Sequence, residues 1–175
     1  MSESGQTSQH PTGEPWTVVV LTEVALGDVD ARNIAQLHAG EAVRHVVVVP
    51  VDTERNLLAD VLDHLFLGEL RDALQEVRGG RPDPGRARAD AESALSATLQ
   101  ALRAEGLQAD GRTTGDDPMP AVREALSGEP DARELIVVTR PHAVEDTFHT
   151  DWASRARDTL GVPVLHVYAG TSRLG

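Results

Sequence analysis

The 175-residue sequence contains no cysteine and no lysine. The first absence excludes disulfides, thiolate nucleophiles and cysteine-ligated zinc. The second excludes a P-loop lysine and a Schiff-base lysine, because all 16 basic residues are arginine. Positive charge is also scarce: a formal net charge of −12 and a pI near 4.9 repel a phosphate backbone and an anionic bilayer alike, so neither nucleic acid nor membrane is an expected partner. No run approaches the roughly 20 apolar residues that span a bilayer, and the opening MSESGQTSQHPTGEP has neither the basic start nor the apolar stretch of a secretion signal. The expected location is the cytoplasm.

What the chain does contain is alternation of two patterns. Residues 1–15 mix Ser, Gly, Gln, Thr and Pro without periodicity, which predicts a disordered tail. From residue 16 to about 170 the chain reads as one α/β domain, and 171–175 as a loose end. Residues 17–23 and 43–51 are β-branched runs without alternation, the pattern of parallel strands covered on both faces; the second reads as central. Between them, Ile34, Leu37 and His38 fall at helical spacing and Gly40 closes the turn. Residues 56–77 carry a helical stripe through Leu58, Val61, Leu62, Leu65 and Phe66. The stretch 79–88 reads as a connector, and 89–105 as a helix stopped by Gly106. A short strand at 107–114 is interrupted by Asp110 and Gly111. Asp117 and Pro118 suit the N-cap and first residue of a helix through Val122 and Leu126. Residues 134–139 form a further buried strand, 147–160 a helix with Trp152, Ala153, Ala156 and Leu160 on one face, and 163–169 the last strand. Strands and helices in this order predict a doubly wound, five-stranded parallel sheet with helices on both faces.

Chemistry concentrates in the polar loop 139–151, which follows a buried strand at the edge where open α/β sheets gather ligands. It holds Thr139, Arg140, His142, Glu145, Asp146, His149 and Asp151. Arg140 can fork onto an anionic ligand, or pair with Asp146 or Glu145. His142 or His149 with Asp146 can move a proton, whereas H-x6-H matches no strong metal spacing. The carboxylates also suit a helix N-terminus. Asp52, after the second strand, is a candidate on the same edge or a helix cap. His38, His45 and His166 lie in regular elements among apolar neighbours and read as structural.

Three stretches, HVVVVPVD (45–52), TTGDDPMPAVREAL (113–126) and ELIVVTR with WASRARDTLGVPVLHVY (134–140 and 152–168), resemble the universal stress protein family, a branch of the adenine-nucleotide α-hydrolase-like superfamily. The resemblance covers about 16–168. Nucleotide-binding members carry G-x2-G-x9-G-[ST] after the fourth strand; here those positions fall on Thr139 to His142 and on Thr150 and Asp151, with no glycine. Close approach of backbone amides to phosphate needs glycine there, and Asp151 adds a carboxylate. Where the family brings an aspartate to the sugar, this strand ends in Leu21, Thr22 and Glu23, leaving Glu23 as the substitute.

The resemblance therefore implies a small binding or regulatory module of the stress response. It implies no cofactor, no ATP held in the usual way, and an unidentified small ligand or protein partner. It also implies a homodimer joined along the last strand, in which Val167→Pro removes a ladder hydrogen bond and weakens assembly. The alternative is a nucleotide-binding protein, or an enzyme of the superfamily working through the 139–151 loop. No Ser-His-Asp spacing, nucleophile elbow or metal signature names a reaction.

Overall fold

A computed structural model describes residues 15–51, 84–115, 118–129, 131–140 and 157–171. The element order is β1 (Trp16–Thr22), α1 (Asp28–Leu37), β2 (Val43–Pro50), α2 (Pro84–Ala104), β3 (Gln108–Thr114), α3 (Met119–Gly128), β4 (Ala132–Thr139) and β5 (Val164–Tyr168). Residues 157–160 are also helical. The expected tail through residue 14, the helix at 56–77, the Asp117 cap and most of the helix at 147–160 lie outside the described residues.

The five strands form one parallel sheet in the order β3-β2-β1-β4-β5. The α/β expectation holds: β2 is an interior strand, as expected, and β1 lies in the middle of the sheet. Alternate residues of each strand face opposite sides. Val19, Leu21, Val46, Val48, Leu135 and Val137 meet Met119, Val122 and Ala125 of α3, with Leu160 and Val162 against the same layer. Val18, Val20, Val47, Val49, Ile136 and Val138 meet Ala31 and Ile34 of α1 and Ala91 and Leu102 of α2. Helices thus cover both faces, which explains why these strands carry Val at consecutive positions: each such side chain contributes about 1.5–3 kcal/mol when removed from water, whichever way it points.

Two boundaries differ from the sequence expectation. Residues 84–88, expected in a connector, open α2. Proline's fixed φ suits a first helical turn, and Arg86 with Asp90 and Arg88 with Glu92 make i,i+4 ion pairs along the exposed side. α3 begins at Met119 with Pro118 at the N-cap position and Pro120 in the first turn, one residue later than expected. Buried Thr98 fastens α2 to the start of α1, its hydroxyl accepting from the Leu26 amide at 3.0 Å.

The register of β5 changes the meaning of Val167→Pro. Pro163 O accepts from Leu135 N, and Ala169 N donates to Thr139 O. Odd-numbered residues of β5 therefore direct their backbone groups at β4, by the period of two, and Val167→Pro breaks the internal ladder rather than an outer edge.

Of the two residues that made β3 look weak, Asp110 pairs with Arg44 and Gly111 has a packing role. A Cβ on Gly111 would collide with the Val47 carbonyl oxygen and lie 3.0 Å from Leu95 Cδ1, so only glycine lets β3 pair with β2 beneath α2. Gly111→Ala is expected to cost about 1–3 kcal/mol by overpacking, whereas Gly115→Ala, with nothing within 4 Å of the added methyl, should stay within about 0.5 kcal/mol. Urea denaturation of both variants checks the contrast.

Candidate functional site

After β3 the chain crosses over β2 and β1 to lay β4 on the far side of β1. This reversal separates the connections leaving the carboxyl ends of β1 and β4, and open α/β sheets bind ligands in the crevice so formed. Thr22 and Glu23 lie at one lip, Thr139 and Arg140 at the other.

Buried carboxylates bind backbone amides around this crevice. Glu23 is 3% exposed, and its Oε1 accepts from the Arg140 amide at 2.8 Å. Asp30, in the first turn of α1, is 5% exposed; its Oδ2 accepts from the Gly27 amide at 3.0 Å and its Oδ1 from the Gly170 amide at 2.6 Å. One carboxylate joins the β1 end to the β4 end. The other joins the start of α1 to the turn after β5. Hydrogen bonds to an ionised acceptor are short and strong, and they leave these amides directed at the protein's own anions.

A second set of hydrogen bonds lies beside them. Thr139, fully buried, shares a 2.8 Å hydrogen bond between its Oγ1 and Nε2 of buried His166, and the His166 ring meets Tyr168 edge-on at 4.7 Å. Thr22 accepts from the Val24 amide at 3.3 Å through Oγ1, and the same hydroxyl donates to the Val24 carbonyl at 2.9 Å. Asn33 Nδ2 donates to Thr171 O at 3.0 Å, while Thr171 N and Oγ1 both donate to Tyr168 O. Thr171, expected in the loose end, is thereby tied to α1 and β5.

Of the sequence candidates, Glu23, Thr139 and Arg140 come together at the crevice, in different roles. Glu23 and Thr139 are buried, whereas the Arg140 side chain is exposed and only its amide is engaged with Glu23. Asp52, His142, Asp146, His149 and Asp151 lie outside the described residues. Asp30 was missed in the sequence reading. The available signal was its place three residues after Gly27 at a helix start, where a carboxylate reaches back to the N-cap amide. Its second partner, Gly170, is 140 residues away and has no local signature.

A groove of about 300 Å³ among the described residues is lined by Arg123, Leu126, Ser127, Thr159, Leu160 and Val162. It lies near the C-terminal end of α3 and the entry to β5, away from the crevice. Among the described residues no helix is long and apolar enough to cross a membrane. No protein-family model and no curated protein matches the chain.

Removing the Glu23 carboxylate leaves the Arg140 amide without that acceptor. Glu23→Ala is expected to cost about 1–3 kcal/mol, whereas Arg140→Ala keeps the amide and should change stability by less than about 0.5 kcal/mol. Equal, small effects in urea denaturation would mean that Glu23 does not tie the two strand ends.

Proposed function

We propose that the protein is a universal-stress-protein-like binding or regulatory module that does not hold ATP in the usual way and recognises another small ligand or a protein partner. The observation that carries this reading is the Glu23 carboxylate on the Arg140 amide. Phosphate-binding crevices present backbone amides to an external anion; here an amide at the start of the post-β4 loop already faces an internal one. A triphosphate taking that amide would have to displace Glu23 and would meet its charge, with Asp30 near the same edge. The missing glycines at 139–151 and the acid at Asp151 act in the same direction.

Recognition is assigned to the 139–151 loop, with Arg140 as its contact for an anionic group. The exposed guanidinium leaves the β4 end while the amide of the same residue stays bound to Glu23. That division lets the side chain engage a ligand without loosening the strand. We place the module in the cytoplasm and propose that it acts as a homodimer through β5, an edge strand of the described sheet.

Calorimetric titration with Mg-ATP should give no heat assignable to sub-micromolar binding, and the freshly purified protein should carry no stoichiometric nucleotide. Tight binding, or near one ATP per chain, would overturn the proposal in favour of a nucleotide-binding protein. Sedimentation at micromolar concentration should give the dimer mass; a monomer would remove β5 pairing from the account.

A further inference from the structure

The opposite, amino-terminal end of the sheet holds a second buried polar group, on the face covered by α1 and α2. His45 of β2 is 0% exposed. Its Nδ1 lies 3.3 Å from the Gln108 carbonyl oxygen, which fixes the proton on Nδ1, and its Nε2 is buried with no partner among the described residues. His38, the residue that ends α1, places Nε2 3.3 Å from Glu134 Oε2 of β4, while its Nδ1 is likewise buried without a partner among the described residues. The two rings are 6.3 Å apart.

Trp16 of β1 closes the group. The His38 ring meets it edge-on at 5.0 Å, its Nε1 donates to Glu41 Oε2 at 3.0 Å, and the Arg133 guanidinium lies 6.0 Å from its ring centre. The turn from α1 to β2 is therefore held to β1 through Glu41 and to β4 through His38.

We propose that Trp16, His38, His45 and Glu134 form an acid-sensitive latch that fastens the end of α1 and the α1–β2 turn to the sheet, and that protonation of His45 releases it. The asymmetry between the histidines decides the direction. A proton on His38 meets the Glu134 carboxylate. One on His45 meets the Gln108 carbonyl at Nδ1 and no hydrogen-bond partner among the described residues at Nε2, with the His38 ring 6.3 Å away.

The other charged groups near the latch are already engaged. Arg103 of α2 donates through Nε and Nη2 to the Ala109 carbonyl, Glu105 pairs with Arg32 of α1, and Glu41 and Arg133 serve Trp16. Arg44 projects to the opposite face, to Asp110 and Glu129. No described carboxylate is bonded to His45.

Burial is the main cause that holds His45 below its ordinary 6.5, at about 4; the bond to Gln108 works against this and the neighbouring His38 adds to it. Between those values the unfolded chain binds the extra proton and the folded chain does not. The contribution is therefore fully present above about pH 6.5 and is lost as pH falls towards 4. A difference of that size corresponds to a loss of roughly a hundredfold or more in the folding equilibrium constant across the window.

The test combines pH-dependent urea denaturation with amide hydrogen exchange on the full chain. The wild-type protein should lose stability between pH 6.5 and 4.5, and His45→Leu should flatten that slope, with His45→Gln as the second variant if the first does not fold. After correction for intrinsic rates, amides of residues 38–45 should gain exchange at pH 5 before those of α3. An unchanged slope in the folded His45 variant overturns the proposal. So does exchange that rises uniformly over both faces, or a His45 resonance titrating near pH 6.5.

Discussion

Both faces of the parallel sheet have to be covered, and the organisation of the rest follows from that constraint. Val18 to Leu21 of β1 are all fully buried, pointing alternately at the two helical layers. A parallel sheet gains this cover only through crossover helices. Covering the second face here goes with a reversal of strand order between β1 and β4. The reversal opens the crevice, and the crevice creates a problem of unsatisfied amides at two strand ends. Buried backbone donors must find acceptors. Glu23 and Asp30 supply them from within the chain, so the edge where open α/β sheets gather ligands is here also where two carboxylates bind the chain's own backbone.

This arrangement separates fold from function. The same sheet order in a chain with glycines after β4 would direct its amides outwards to phosphate. In this chain the Arg140 amide is bonded to Glu23 while the Arg140 side chain is exposed. The electrostatic sense of the site is set by a few residues on a common framework, which is why the framework alone does not name the ligand.

Much of the fold was legible in the sequence because the strands are short β-branched runs and the helices have clear stops. What was misjudged involved contacts that composition hides. Gly111 looked like a strand breaker and is a packing requirement set by Val47. Pro84 and Gly85 looked like connector and lie inside a helix whose charged side is supported by ion pairs. Asp30 was invisible because its role depends on Gly170, brought close only by the completed sheet. Glu23 was singled out as a candidate ligand contact, but its amide partner follows from the pairing of β1 with β4. His38 and His45 were legible as structural residues; that they meet at one end of the sheet required the register of β1, β2 and β4.

The central claim is that internal carboxylates occupy the amides of the crevice. The most direct measurement is a proton–nitrogen correlation spectrum of the assigned protein, following the Arg140 and Gly170 amides. Both resonances should move when Glu23→Gln and Asp30→Asn respectively weaken their acceptors, and both should stay in place when millimolar Mg-ATP is added to the unmodified protein. An Arg140 amide that ignores Glu23→Gln but shifts with Mg-ATP would contradict the account.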